Sequence, residues 1–366
     1  MHSLGLVARL GEEFGASVTV DTPLSAYTTF RVGGPATAVV SCPTTEALAG
    51  VVRRLDQEQV PLLILAGGSN LLIADEGADM VVVRVASTRH WVEGNVLHAE
   101  AGANWDAVVT AAVAAGLGGI ECLSGIPGST GATPVQNVGA YGVEIASVLR
   151  RVELLDRATG SVRWAHPEEL HLSYRHSILK NTDTAVVLSV ELELLDDGLS
   201  APIRYGELAR RLGAGDGDRL APAEVREAVL ALRQGKGMVL DSDDHDTWSA
   251  GSFFTNPIIP AASLDEVLAA ARARLGDDVS MPHFPADDGY VKLSAGWLIE
   301  KAGFTRGHPG ADAPARLSTK HTLALTHRGA ASAADITARA REVQGGVEEA
   351  FGVRLHPEPV CVGITI

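Results

Sequence analysis

The first unbroken apolar run, "ATAVVSC" at 36–42, is rich in small and β-branched residues and predicts a strand. In the next stretch, "PTTEALAGVVRRLDQEQ", Leu48, Val51, Val52 and Leu55 recur at helical spacing, and Thr44 or Thr45 stands where a helix cap belongs. "VPLLILAGGSNLLIAD" then predicts a buried strand running into glycines, and "MVVVRV" at 80–85 another strand. Strand, helix, strand, glycine turn and strand make a compact unit of mixed helix and strand that ends near residue 86.

From Val92 to Leu195 the pattern changes. "NVLHAEAG" reads as a strand, "NWDAVVTAAVAAGLGG" as a helix capped by Asn104 and stopped at Gly116, and "VLRRVELLD", "SVRWA" and "AVVLSVELELL" as short strands. "AEVREAVLALRQGKG" at 223–237 predicts an amphipathic helix leading into a third region. There "LDEVLAAARARLG" and "AGWLIEKAG" predict helices, "HTLALTHRG" a strand, and "ADITARAREVQGGVEEAFG" a helix with Ile336, Ala340, Val343, Val347 and Phe351 on one stripe. "CVGITI" closes as a strand. The expected segments are 1–86, 87–222 and 223–366, α+β in class, with no repeats and no long linker.

Composition narrows the function. With 366 residues, 46% of them hydrophobic, the chain can bury more than one core. Its formal net charge of −15 argues against a protein that coats nucleic acid. It does not exclude an anionic ligand, because backbone N–H groups and a few local cations hold phosphates. "MHSLGLVARLGEEFG" lacks the continuous apolar stretch of a secretory signal, and no apolar run reaches the roughly 18–20 residues that span a bilayer. A soluble cytoplasmic protein is expected. Cys42, Cys122 and Cys361 lie far apart without C-x-x-C spacing and read as reduced thiols.

No metal is expected either. In "DSDDHDTWSAG", Asp241, Asp243 and His245 fall at the first, third and fifth positions of a calcium loop, but Asp246 stands where that loop requires glycine and Ser252 where it requires glutamate. His166, His171 and His176 are spaced five apart, which turns them off any common helical face.

The densest chemical signal is "SGIPGSTGATPVQNVGAYG", residues 124–142, with Gly125, Gly128, Gly131, Gly139 and Gly142 in under twenty residues. Glycines let backbone approach a ligand closely, and their N–H groups can form an anion-holding concavity. The spacing is neither the G-x-G-x-x-G of dinucleotide folds nor a P-loop. A second glycine turn, "AGGSN" at 66–70, ends an apolar strand, and together the two point to a diphosphate-bearing cofactor. Ser252, in "GSFFTNP", lacks the G-x-S-x-G surroundings of a hydrolase nucleophile.

Seven stretches then carry a resemblance: "YTTFRVGGPA", "LAGGSNLLIAD", "SGIPGSTGATPVQNVGAYG", "YRHSILK", "AGSFFTNP", "KLSAGWLIEKAG" and "LHPEP". In order and spacing, from Tyr27 to the C-terminus, they resemble the UDP-N-acetylenolpyruvoylglucosamine reductase family. The resemblance implies a two-part FAD-binding module of the PCMH (vanillyl-alcohol-oxidase-like) type and a C-terminal α+β substrate-binding domain. It implies non-covalent FAD, NADPH as reductant, a UDP-sugar substrate and the product UDP-N-acetylmuramate, used in peptidoglycan and cell-wall synthesis. It implies no nucleic acid, membrane or obligatory protein partner.

The family's residues carry over by motif. Gly67, Gly68, Ser69 and Asn70 in the first turn are implied FAD contacts. So, in the second stretch, are Ser124, Gly125, Ile126, Pro127, Gly128 and Ser129, then Gly131, Ala132, Gln136 and Asn137, then Gly139, Ala140 and Tyr141. Hydride from reduced flavin N5 to the enolpyruvyl C3 leaves negative charge at C2, and Ser252 matches the hydroxyl that protonates it. Arg175 matches the arginine that grips the substrate carboxylate as enolate charge grows. Glu358 matches the catalytic glutamate, which either assists Ser252 or shares a proton with the intermediate; the family's usual "PEV" is here "PEP", with Pro359. Tyr205 matches a tyrosine that closes over substrate in one branch of the family, and Lys236 the lysine facing the UDP diphosphate, although its spacing to Ser252 is stretched. Asn256, Lys292 and His321 are further implied substrate contacts. An oxidase on the same FAD module and a non-catalytic flavoprotein are the competing readings; Arg175, Ser252 and Glu358 together argue against the second. Many such oxidases tether flavin through a histidine in "GGH", where this chain has Ser69.

Overall fold

A computed structural model describes residues 2–286 and 289–366. Backbone packing divides the chain into two units, one formed by residues 2–23, 35–68 and 78–239, the other by 24–34, 69–77 and 240–366.

Two larger sheets lie in the first unit. In the first, Ser17–Val20, Ala36–Cys42, Ala78–Val85 and Leu62–Leu65 lie side by side in that order; the first pair is antiparallel and the others parallel. A parallel pairing needs a crossover, and the helix Thr45–Gln57 supplies it. Of the two possible caps, Thr44 is the one used, its side chain accepting the Ala47 N–H at 3.1 Å. Leu48, Val51, Val52 and Leu55 are all fully buried. On the same helix, a Cβ at Gly50 would fall 2.3 Å from the Phe14 ring. The glycine thus admits the N-terminal helix His2–Phe14, an element the hydrophobic pattern did not announce.

The second sheet is antiparallel throughout, in the order Val162–Ala165, Leu149–Asp156, Ala185–Glu193, Val96–Glu100, His90–Glu93. Alternate residues enter the core, where Val152, Leu155, Val190 and Leu97 are inaccessible. Across the other face runs a polar row: Trp91 stacks on His98 at 4.9 Å, and Glu191 takes a two-pronged bond from Arg151 at 2.6 and 2.7 Å. The glycine-rich stretch forms a one-turn 3-10 helix, Thr130–Ala132, and a short strand, Gly139–Ala140, and the unit also holds the helices Trp105–Ala114, Gly206–Leu212 and Pro222–Gly235. The last of these, expected to open the third segment, packs within the first unit.

The second unit is built on the helix Ala333–Phe351, whose predicted stripe is buried along its length. Ser332 and Asp335 close a reciprocal cap at its start. The helices Leu264–Leu275 and Ala295–Ala302 pack with it, together with a three-stranded sheet ordered Ile258–Pro260, Tyr290–Leu293, His283–Pro285. The run "VPLLILAGGSNLLIAD" makes two strands rather than one. Gly68, at φ 61°, turns the chain, and Leu71–Ile73 pairs in parallel with Val360–Val362. The last strand is therefore shorter than "CVGITI", and Gly363 at φ 71° comes directly after its end. "HTLALTHRG" likewise yields only Leu325–His327, paired with Ala315–Leu317. Among the described residues no helix is long and apolar enough to cross a membrane.

Candidate functional site

In the first unit the glycine-rich stretch is stitched to residues 101–106. Thr130 and Gly131 donate their N–H groups to Ala103 and Ala101 carbonyls, both at 2.8 Å, and Trp105 donates to the Gly128 carbonyl at 3.1 Å. Asp106, in the first turn of the helix that Asn104 caps, accepts the Gly125 N–H at 2.6 Å. Arg226 forks onto the same carboxylate at 2.7 and 2.8 Å. That guanidinium, aided by the Gly125 amide and opposed by burial, holds Asp106 below its ordinary titration range. Two amides that the sequence offers to a ligand are thus committed to the protein, and Gly131 is demanded by packing, since a Cβ there would sit 2.4 Å from that of Ala101. The Ser124 hydroxyl is committed as well, to the Glu121 carbonyl at 2.6 Å.

The rest of the stretch fits a phosphate-bearing group. A Cβ on Gly67 would lie 2.6 Å from the Gly128 Cα, so the two glycine turns meet backbone to backbone, with no room for a side chain. Beside them the Ser129 Oγ is buried without a hydrogen-bond partner. A buried hydroxyl left unpaired costs about 1–3 kcal/mol, which a ligand oxygen would relieve. These are the residues that would hold FAD.

Asn137 organises the far end of the stretch. Its backbone is left-handed at φ 45°, and its side chain donates to Glu144 Oε2 at 2.8 Å and to the Ser173 carbonyl at 3.1 Å while accepting from Ala146 at 3.1 Å. The Ser173 carbonyl belongs to a tight hairpin in which Ser173 and His176 exchange backbone bonds, with Tyr174 and Arg175 at the tip. Arg175 is half-buried, and its Nη2 donates to the Gly139 carbonyl at 2.6 Å. Lys180 Nζ holds the Arg175 carbonyl at 3.0 Å.

Tyr141, Tyr205 and Lys236 are brought together. The two tyrosine rings meet edge to face at 5.3 Å, and Lys236 Nζ lies 5.9 Å from the Tyr141 centroid. Burial pushes the Tyr141 hydroxyl up to about 12. Lys236 donates to Glu207 Oε2 at 2.5 Å. Arg233, which no motif singled out although it stands three residues before Lys236, packs under Gly125 with its Nε buried and unpartnered.

The second unit assembles the remaining residues. Gly251, left-handed at φ 72°, delivers the chain to Ser252, and the fully buried Phe253 and nearly buried Phe254 anchor the segment beyond it. Phe254 and Pro357 pair as an antiparallel bridge, and the Glu358 N–H donates to the Phe253 carbonyl at 2.8 Å. Glu358 is thereby bound to the residue next to Ser252. Asn70 fastens Glu358 from the other side, its Nδ2 donating to the Glu358 carbonyl at 3.3 Å and its carbonyl accepting from Val360 at 2.9 Å. Pro359 costs nothing here, because it falls just before the strand and owes the ladder no N–H. Asn256 Oδ1 accepts the Ala295 N–H at 3.0 Å, at the start of the helix Ala295–Ala302. Lys292 lies in the middle strand between Ile258 and Phe284. The His321 carbonyl takes the Ala324 N–H, and Leu323 between them accepts from Phe253 at 2.7 Å.

Residues 243–362 match the C-terminal domain of UDP-N-acetylenolpyruvoylglucosamine reductases, and residues 36–166 match an FAD binding domain. A UDP-N-acetylenolpyruvoylglucosamine reductase from Nocardia farcinica is 63% identical over 96% of this chain and 91% of its own. One from Saccharopolyspora erythraea is 59% identical over 96% of this chain and 98% of its own. The chain belongs to the UDP-N-acetylenolpyruvoylglucosamine reductase family. The solved UDP-N-acetylenolpyruvylglucosamine reductase of Thermus caldophilus superposes with a TM-score of 0.63 at 25% identity, covering 95% of this chain and 99% of that one.

Membership fixes the class: an oxidoreductase with an α+β fold that carries an FAD-binding domain. It also sets aside the oxidase reading. Within this reductase framework Asp106, Glu144 and Glu207 are residues that sequence reasoning missed. Their partners lie 19, 7 and 29 positions away, beyond the reach of any local pattern.

Proposed function

We propose that the protein is a cytoplasmic enzyme that reduces UDP-N-acetylenolpyruvoylglucosamine to UDP-N-acetylmuramate, a peptidoglycan precursor, with NADPH as electron source. Non-covalently bound FAD, which residues of the two glycine turns would hold, would supply the hydride that C3 of the enolpyruvyl group receives. The chain's own residues handle the charge and the proton. Arg175 holds the substrate carboxylate with two parallel N–H bonds and tightens its grip as enolate charge accumulates, a stabilisation larger in the transition state than in the ground state. Ser252 delivers its proton to C2; an alcohol is a weak acid toward water but an adequate one toward a carbanion-like centre. Glu358 assists that transfer. Tyr205, Lys236, Asn256, Lys292 and His321 bind the UDP-sugar, Lys236 at the diphosphate.

One observation supports the proton-donor assignment above the others: the segments bearing carboxylate and hydroxyl are paired backbone to backbone, the Glu358 N–H donating to the Phe253 carbonyl at 2.8 Å and the Thr255 N–H to the His356 carbonyl at 3.1 Å. The two larger sheets of the first unit, one within residues 17–85 and the other within 90–193, support the reading of residues 1–86 and 87–222 as halves of the flavin module. Ser69, with no ring nitrogen to offer, supports the non-covalent flavin.

An absorbance scan tests the whole reading. Purified protein should show oxidised-flavin bands that NADPH bleaches and the enolpyruvyl nucleotide restores, and acid precipitation should release the flavin into solution. Flavin that NADPH fails to bleach, or that the nucleotide fails to reoxidise, would sink it.

A further inference from the structure

We infer that Glu207 sets the affinity of the site for its pyrophosphate-bearing ligand by competing with that ligand for Lys236. This rests on the reading above that Lys236 faces the diphosphate.

The geometry is specific. Lys236 Nζ lies 2.5 Å from Glu207 Oε2, so the ammonium at this corner is already matched by a carboxylate. Both side chains remain about a third exposed, at 31% and 35%, so a ligand can reach the pair and solvent can take up a displaced glutamate. Glu207 sits in the first turn of the helix Gly206–Leu212, which Tyr205 precedes, and Tyr205 packs edge to face on Tyr141. The ion pair therefore ties the segment bearing Tyr205 to the C-terminal end of the helix Pro222–Gly235.

A diphosphate brought to Lys236 would place negative oxygens where the Glu207 carboxylate stands. Two anions at one ammonium repel, so the glutamate must leave or the ligand must bind against it. Either way the free energy of the Lys236–Glu207 pair is subtracted from that of binding, just as any competing state lowers apparent affinity. The consequence is a site tuned to release product as well as to capture substrate, with Glu207 as the tuning residue.

The test is a double-mutant cycle on the flavin-loaded protein, with UDP titrated by calorimetry into wild type, Glu207→Gln, Lys236→Gln and the double variant. Glu207→Gln should tighten UDP by about two- to fivefold, the worth of a partly exposed ion pair. It should lower KM for the sugar nucleotide without raising kcat. Lys236→Gln should weaken UDP, and in that background the Glu207 change should lose most of its effect. Glu207→Asp, which keeps the charge, should stay near wild type and so separates charge from packing. Weaker UDP binding by Glu207→Gln would make the glutamate a support of the lysine and overturn the inference. If Lys236→Gln leaves UDP binding unchanged, the diphosphate assignment fails and the inference with it, whereas the flavin-bleaching experiment judges the reductase activity separately.

Discussion

Arg175 occupies backbone that a side chain avoids. At φ 54° it lies in the left-handed region, where a non-glycine residue stores strain of about 1–3 kcal/mol. The hairpin exchanging bonds between Ser173 and His176, the Asn137 side chain on the Ser173 carbonyl and Lys180 on the Arg175 carbonyl together hold it there. Such over-determination fits a guanidinium aimed at a substrate rather than a surface charge. Arg175→Lys keeps the charge but loses the planar fork, and kcat for the enolpyruvyl substrate should fall while NADPH still bleaches the flavin. Turnover near wild type would place the carboxylate-binding arginine elsewhere. Ser252→Ala should leave flavin reduction by NADPH nearly intact and slow flavin reoxidation by the enolpyruvyl nucleotide by about 100-fold or more, the usual worth of a positioned acid. Stopped-flow traces of the two half-reactions check this, and equal slowing of both would refute the proton-donor role.

The elements explain how loops without regular structure stay in place. The helix Trp105–Ala114 presents Asp106 in its first turn, and that carboxylate clamps the Gly125 amide while Arg226 clamps it in turn. Asp106→Ala removes a charge-assisted hydrogen bond worth about 1.5 kcal/mol or more, so FAD affinity should weaken by about tenfold. Asp106→Asn, which keeps an acceptor for Gly125 but not the charge for Arg226, should fall in between. Equilibrium titration of flavin into stripped protein measures both, and unchanged affinity would mean the loop holds its shape unaided. This clamp also marks the limit of sequence reading. The stripe Ile336–Phe351, the caps Thr44 and Asn104 and the glycine turns were legible because periodicity and capping are local properties. Ser252, Arg175 and Glu358 are singled out only by whole motifs, since no spacing rule selects them. The N-terminal helix, the division of "VPLLILAGGSNLLIAD" into two strands and the pairs Asp106–Gly125 and Lys236–Glu207 were not legible. Each depends on a partner supplied by a distant part of the chain.

For the molecule as a whole, pH dependence of stability arises from groups whose titration the fold displaces. His327, only 6% exposed, is pushed below its ordinary 6.5 by burial and by the nearby charges of His245 and Arg31, against a backbone hydrogen bond at Ala331 that acts the other way. Its Nδ1 accepts the Gly329 N–H at 3.1 Å, and its ring stacks on Trp248, over which the Arg31 guanidinium sits at 3.7 Å. An unfolded chain takes up this proton near 6.5 and the folded one resists it. The contribution to stability is therefore complete above that value and is lost as pH falls toward the folded one. Asp106 and Asp246 behave as lowered carboxyls: Arg226 depresses the first, while for the second burial works upward and is outweighed by Thr319 and Arg328. Their stabilisation is present above the ordinary 3.8 and disappears only below it. The melting midpoint should accordingly fall in two separated steps on acidification, one beginning just under pH 6.5 and one under 3.8. His327→Gln should flatten the first step and leave the second, whereas an undiminished first step in that variant would assign it to a different imidazole.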